Sequence, residues 1–321
     1  MPAVSVIIPV YDVEAYIGRC VRSLFAQTLQ DMEFVFVDDC SPDHSIQVMQ
    51  QILEEEFPER LPQVRVFRMP QNSGQAKVRM KGLELATGDF IAHCDSDDRV
   101  EVDAYERVYQ KALSGDFDMV TFDYRKGNES AWINCSAGSL PGKELSDIMT
   151  GAVMGSLWCR MFKRSLAEGL VPPAGNFTED MVLSIQMTEK AKKIGHLDAV
   201  LYSYFIRPDS ICHTVGKEAD LARHESLYAN TLLCVNLLQT SNNRSYQEAD
   251  MVLFKYRVRN CMNRFFHNKD VYIKWRGTFP EVDKQLLVTS GIPLEVKFWY
   301  ILIRLHLYHP WKVLSGKHSI K

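Results

Sequence analysis

The chain has 321 residues, 46% hydrophobic and 24% charged, an ordinary globular composition for one large domain with an appendage or for two domains. A net charge of −3 and a pI near 6.3 exclude a surface that is basic all over, so no nucleic-acid partner is expected. The eight cysteines form no CxxC pair and no Cys/His zinc spacing, which points to reduced, mostly buried thiols in a cytosolic protein.

The opening "MPAVSVIIPV" lacks a basic n-region and reads as a first strand rather than a signal peptide. Its core, residues 4–10, is β-branched and continuous, as in a strand buried on both faces. Residues 13–28 place Val13, Ile17, Val21, Leu24 and Phe25 on one helical stripe. "EFVFVDD" (33–39) is a second strand, followed by a helix over 44–57 that Ser41-Pro42-Asp43 introduces. A third strand (64–69), a helix (75–87) ended by Gly88, a fourth strand (90–95), a helix (102–114) and a fifth strand (118–124) continue the alternation. Such alternation predicts an α/β fold, a mostly parallel sheet with helices on both faces, whose ligands bind beyond the carboxyl ends of the strands.

Residues 126–150 read as a loop or short hairpin, 156–168 carry helical patterning, and 178–193 read as a helix opened by Thr178-Glu179-Asp180. A strand over 199–207 closes this domain, set at 1–215. Residues 216–321 are expected to form a smaller helical region.

The run "FIAHCDSDDRVE" (90–101) ends an apolar strand in three carboxylates, Asp95, Asp97 and Asp98. Like charges that close repel, and each costs free energy to desolvate. The cluster is explained by a divalent cation, or by capping of the helix that follows at 102. No GxxxxGK[ST] loop is present and no GxGxxG follows the first strand. Phosphates would therefore be held another way, and Mg²⁺ or Mn²⁺ on one or two carboxylates would serve.

Five blocks carry a resemblance: residues 4–45, "NSGQAKVRMKGLELATGDFIAHCDSDD" (72–98), "LWCRMFKRSL" (157–166), "FTED" (177–180) and "LYSYFIRPDSI" (201–211). In order and separation they resemble the family 2 glycosyltransferases, over roughly residues 4 to 211. The resemblance implies a GT-A fold and an inverting transfer of a sugar from a nucleotide-sugar to an acceptor hydroxyl. Departures are modest: Asp12 stands where asparagine is usual, Cys40 replaces a common glycine, and Met80 stands where asparagine is frequent.

By that resemblance Asp97 is a direct metal ligand, with Asp95 on ribose or a metal-bound water and Asp98 orienting the loop. Asp39 would accept a hydrogen bond from a pyrimidine, Asp38 would support the loop, and Pro9 and Tyr11 would shape the base pocket. Lys77 and Arg79 flank the expected diphosphate site, or form a solvated helix face. Asp180 is the expected base for the acceptor hydroxyl, with Glu179 positioning or capping beside it. The competing account of 178–180 is helix initiation alone, with Thr178 as N-cap. His213 is a candidate third metal ligand, and Trp158 and Arg207 are expected on the acceptor side, with core packing the alternative for Trp158. The cofactor is expected to be Mn²⁺ or Mg²⁺, and the partners a nucleotide-sugar, UDP favoured, and a saccharide or lipid-linked acceptor.

Residues 251–276 carry seven Lys/Arg against one acid, Asp270, and 296–321 carry five basic residues and no acid. The apolar, aromatic core of that last stretch, Phe298 to Leu307, is too short to span a bilayer. It fits either an interfacial helix on anionic lipid, placing the protein peripherally on the inner membrane face, or a helix packed on protein. Two other functions compete with glycosyl transfer. An aspartyl-nucleophile phosphohydrolase would want DxDxT after the first strand, whereas Arg99 occupies the Thr place after the fourth. A non-catalytic scaffold would have no need of Asp97 and Asp180.

Overall fold

The computed structural model describes residues 1–207, 217–241, 245–260, 269–305 and 307. The first half builds as its periodicity dictates. Strands β1 (Val4–Val10), β2 (Met32–Asp38), β3 (Val64–Arg68) and β4 (Phe90–His93) alternate with helices α1 (Glu14–Phe25), α2 (Ser45–Glu56) and α3 (Gln75–Leu85). Every residue of β2 and β4 is buried, as continuous apolar runs in a two-sided sheet require. A short β5 (Arg99–Val100), α4 (Ala104–Gly115), β6 (Met119–Asn128), β7 (Ala131–Cys135) and α5 (Glu144–Thr150) follow. Then come β8 (Arg160–Lys163), α6 (Glu179–Lys190) and β9 (Ile194–Phe205). Residues 126–150 thus hold the expected hairpin, together with a two-turn helix.

The strands form one sheet in the order β3-β2-β1-β4-β8-β6-β9-β5, with β7 paired to β6. β1, β2, β3 and β4 run parallel, as do β6 and β9. β8 lies antiparallel between β4 and β6, and β5 is antiparallel to β9, so the sheet is mixed. The helical patterning of 156–168 is not realised as a helix. Two single 3₁₀ turns, 157–159 and 164–167, flank strand β8. Leu157, Met161, Phe162 and Leu166 are all buried, and their spacing mimics a helical stripe because β8 is four residues long and covered on both faces.

α1 lays Ile17, Cys20, Val21, Leu24 and Phe25 under one sheet face, while Ile7, Ile91, Met119 and Phe162 meet Leu83 of α3 and Leu183 and Met187 of α6 on the other. The described chain after residue 216 is helical: α7 (Lys217–Thr240), α8 (Glu248–Asn260), α9 (Lys269–Gly277), α10 (Val282–Val288) and α11 (Leu294–Arg304). Its helices have a core of their own around Trp275, Val282, Leu286 and Tyr300. A second cluster joins α7 and α8 to α5 and α6 through Leu145, Met149, Val182, Ile185, Cys234, Leu238 and Phe254. α5 and α6 thus share apolar packing with α7 and α8. Among the described residues, no helix is long and apolar enough to cross a membrane.

Candidate active site

The carboxyl ends of β1, β2 and β4 converge on one rim. Asp38 ends β2 with its carboxylate buried, accepting the Ser41 amide (2.8 Å) and pairing with Arg68 Nη1 (2.8 Å). Asp39 accepts the amides of Ser73 (2.7 Å) and Gly74 (2.8 Å), one on each oxygen, and so ties the β2 end to the turn before α3. A carboxylate oxygen has two lone pairs, so each keeps one for a ligand. Tyr11 is 46% exposed, Pro9 is half-buried, and Lys77 is exposed on the first turn of α3. Asp12 (φ 52°) and Cys40 (φ 60°) both stand in the left-handed region, which asparagine and glycine tolerate best. Asparagine and glycine are the residues the resemblance leads one to expect at positions 12 and 40.

The acidic cluster divides in two. Asp98 is fully buried and accepts the Tyr202 hydroxyl (2.7 Å) and the Phe205 amide (2.8 Å), which fixes the loop to β9. Asp95 and Asp97 keep 21% and 16% of their side-chain surface open. None of the three caps α4, whose N-cap is Asp103. Burial, and then Asp95, push the Asp97 carboxyl above its usual range, against Arg207 and Arg19. Burial, then Asp97 and Asp95, raise Asp98 further. Two partly open carboxylates side by side on one loop fit an oxygen-seeking divalent cation. Arg207, expected on the acceptor side, instead has its Nε 2.7 Å from Asp97 Oδ2 of the acidic loop, and Arg19 Nε donates to the Asp97 carbonyl at 3.0 Å.

Arg79 is 1% exposed, on the buried stripe that it shares with Ala76 and Leu83, rather than open to a diphosphate. Its Nη2 meets Asp95 Oδ1 at 2.8 Å and its Nε meets Glu179 Oε1 at 3.0 Å, so one guanidinium bridges the acidic loop to the start of α6. Burial, and the adjoining Asp180, push Glu179 up to about 7 despite Arg79. Burial raises Asp180 too, with Arg79 opposing. Asp180 accepts its neighbour's amide, Met181 N–H, at 2.8 Å and keeps part of its surface open. Thr178 occupies the N-cap position of α6 at φ 66° without a capping side-chain bond; its hydroxyl donates to the Phe177 carbonyl instead (2.5 Å).

Trp158 is buried, stacked on Tyr202 and Tyr204 with Tyr124 edge-on, so it packs the floor behind the acidic loop rather than its surface. His213 lies outside the described residues. Arg19, Tyr202 and Asn176, which accepts the Ala76 amide at 3.2 Å, were not singled out in the sequence. Arg19 and Tyr202 lie inside the blocks 4–45 and 201–211, so their position carried a signal; Asn176, one residue before "FTED", did not. A separate trio, Asp123, His196 and Asp198, brings ligand-type atoms within 4.8 Å of one another. Asp123 Oδ1 there already accepts the Ser136 hydroxyl (2.7 Å) and the Ala137 amide (2.9 Å), with His196 Nε2 at 3.3 Å, so Asp123 fastens the turn after β7.

Among solved structures, S. aureus TarS 1–349 in complex with UDP-GlcNAc superposes with a TM-score of 0.71 at 18% identity, over 100% of this chain and 93% of that one. A mannosyltransferase from Pyrobaculum calidifontis, PcManGT, in complex with GDP-Man and Mn²⁺, gives 0.55 at 16% identity over 98% and 83%. These likenesses show the GT-A fold. EpsH of Bacillus subtilis, a candidate glycosyltransferase, is 30% identical over 240 residues, 70% of this chain and 68% of EpsH. The glycosyltransferase GlyA of Streptococcus pneumoniae is 28% identical over 223 residues, 65% of this chain but 31% of its own length. The model of "Glycosyl transferase family 2" matches residues 5–170, over half of the chain. With the acidic loop and its buried arginine on the rim of that fold, the chain belongs to glycosyl transferase family 2.

Proposed function

We propose that the chain is a metal-dependent inverting glycosyltransferase that moves a sugar from a nucleotide-diphosphate sugar, UDP favoured, to an acceptor hydroxyl of a cell-surface polysaccharide under construction. One observation carries this reading: Arg79 links Asp95 of the acidic loop to Glu179, the residue beside Asp180, so donor-side and acceptor-side carboxylates share one buried charge network. Asp97, with Asp95, would hold Mn²⁺ or Mg²⁺, which supplies charge neutralisation for the leaving diphosphate. Tyr11 offers an aromatic face to the base, and Asp39, whose oxygens each retain a lone pair, can accept from a pyrimidine N–H. Lys77, exposed on the first turn of α3, would be open to a phosphate. Asp180 takes the proton of the acceptor hydroxyl as its oxygen attacks the anomeric carbon in line, with Glu179 held back by Arg79. Arg207, paired to Asp97, lies where loading of the donor would be felt.

The acceptor in this reading is a saccharide or lipid-linked saccharide at the cytoplasmic membrane face. Leu294, Phe298 and Ile301 stand exposed along one face of α11, with exposed Leu305 just past its end, and the chain from 296 on carries five basic residues and no acid, which suits adsorption to anionic lipid.

Thermal unfolding with UDP, dTDP and GDP, each with and without Mn²⁺, tests the donor side. A ligand at 100 times its dissociation constant adds about 2.7 kcal/mol of apparent stability. Stabilisation that needs nucleotide and metal together, is lost in Asp97→Ala and is kept in Asp180→Asn is the expected result. Asp180→Asn should abolish turnover while still binding donor. No response to any nucleotide by the folded protein would reject the reading.

A further inference from the structure

The C-terminal region holds the segment that leads into Glu179 and Asp180 through two side chains of α7, Asn230 and Ser226. Asn230, fully buried in the middle of α7, accepts the amides of Ala174 (2.8 Å) and Gly175 (3.0 Å) on its carboxamide oxygen. Its nitrogen donates to the carbonyls of Gly175 (3.0 Å) and Phe177 (2.9 Å). A side-chain amide can make four hydrogen bonds, and all four go to one short strap, residues 174–177. One turn earlier on α7, the Ser226 hydroxyl accepts the Phe177 amide at 2.8 Å. The strap passes so close that a Cβ on Gly175 would lie 2.3 Å from Ser226 Oγ.

The strap touches both halves of the site. Asn176 Oδ1 accepts the Ala76 amide at the start of α3, and its side chain fills the space over Gly74, where a Cβ would stand 2.2 Å away. Gly74 is the residue whose amide Asp39 holds. At its other end the strap turns through Thr178 directly into Glu179 and Asp180.

We propose that Asn230 and Ser226 are positioning residues for the transfer. α7 clamps the strap so that the donor loop at 72–74 and the carboxylate of Asp180 keep one fixed spacing. The proposal rests on Asp180 being the acceptor base. A misplacement of about 1 Å between reacting groups costs on the order of 100-fold in rate, so the clamp acts on turnover more than on donor affinity.

The test compares full-length wild type with Asn230→Ala, Asn230→Asp and Ser226→Ala, using a panel of UDP-, dTDP- and GDP-hexoses, calorimetry with UDP and Mn²⁺, and amide hydrogen exchange of residues 174–177. In Asn230→Ala, exchange of those amides should accelerate and kcat should fall at least about tenfold, while the donor KM and UDP affinity stay within about threefold. Asn230→Asp keeps an acceptor for Ala174 and Gly175 but sets a non-donating oxygen against the Gly175 and Phe177 carbonyls, so its kcat should fall at least as far as that of Asn230→Ala. Ser226→Ala, the milder change, should show the same split with a smaller fall, and it decides the matter if Asn230→Ala does not fold. Unchanged kcat with accelerated exchange would overturn the clamp. So would a fall in kcat that only tracks the folded fraction across the variants. Turnover retained in Asp180→Asn would overturn the assignment of Asp180, and the clamp with it.

Discussion

Trp158 and Tyr202 lie ring on ring, centroids 4.5 Å apart and planes within 11°, and the stack aims the Tyr202 hydroxyl at the acidic loop. That hydroxyl donates to Asp98 Oδ2 at 2.7 Å and accepts the Asp95 amide at 3.1 Å. One side chain from β9 thus holds both the buried and the open part of the cluster. Tyr202→Phe keeps the stack and removes only these two bonds, leaving a buried amide unpaired and Asp98 with one partner fewer. The expected cost is about 1–3 kcal/mol of stability. Because the hydroxyl orients the candidate metal-binding loop, Mn²⁺-dependent UDP affinity should drop about tenfold as well. Denaturant unfolding and calorimetry measure the two effects separately, and intact affinity would show that the hydroxyl serves folding alone.

The strands that form the rim were legible because β-branched runs buried on two faces leave an unbroken apolar signature, as in Val4–Val10 and Met32–Asp38. Strand β8 was not, because Arg160–Lys163 is short and Arg160 is buried by donating to the Met154 carbonyl (2.7 Å), a contact no periodicity encodes. The cluster at 95–98 was visible as charge. Its division of labour was not, since Asp98 is closed off by partners 104 and 107 residues further along. Arg79 looked like a phosphate ligand beside Lys77. Its position one turn after Ala76, on the face that also carries Leu83, was the sign that it points inward. Asn230 and Ser226 read as polar residues on an unremarkable helix, and only the path of the 174–177 strap gives them a task.

Arg79 is the residue whose loss should be felt most widely. Arg79→Met would strand Glu179 and Asp95 as uncompensated acids, one of them deeply buried, at a cost of about 3–5 kcal/mol. Glu179→Gln in the same background removes one of those charges. The double variant should therefore be more stable than the sum of the two single losses implies, by about 0.5–3 kcal/mol. Urea unfolding of the four proteins closes the cycle. Strict additivity would mean that the 3.0 Å bridge does not couple the two residues.

Cys40 offers a gain. Its φ of 60° costs an L-residue about 1–2 kcal/mol relative to the right-handed region, and glycine escapes that cost while giving back part of it through a more flexible unfolded chain. The side chain's contact with Arg68 Nη2, 3.7 Å from the thiol sulfur, is weak. Cys40→Gly should raise stability by about 0.5–1 kcal/mol, and Cys40→Ala, which keeps the Cβ, should not. Nucleotide binding should survive in both, because Asp39 and Ser41 keep their backbone partners. Equal stability of the two variants would remove backbone strain as the explanation.

Asp43 sets the acid limit of the loop that carries Tyr11. Burial works against its ionised form, yet the hydroxyls of Ser41 (2.6 Å) and Ser45 (2.7 Å) and the amides of Glu14 (2.8 Å) and Ser45 (3.1 Å) hold its carboxyl down to about 2. Glu14 returns the bond by accepting the His44 amide at 2.9 Å, which locks the start of α1 to the start of α2. A carboxyl whose folded value is depressed binds fewer protons folded than unfolded. Its stabilisation is therefore complete above the unfolded value of about 3.9 and is lost as pH falls from there through about 2. Discounted for partial solvent screening, Asp43→Asn should cost about 1–2 kcal/mol at pH 7. The gap between variant and wild type should narrow steadily between about pH 4.5 and about pH 2, where the wild-type carboxyl becomes protonated. Chemical unfolding across that range gives the difference directly, and a gap that stays constant to the acid end would show that the four hydrogen bonds do not depend on the charge of Asp43.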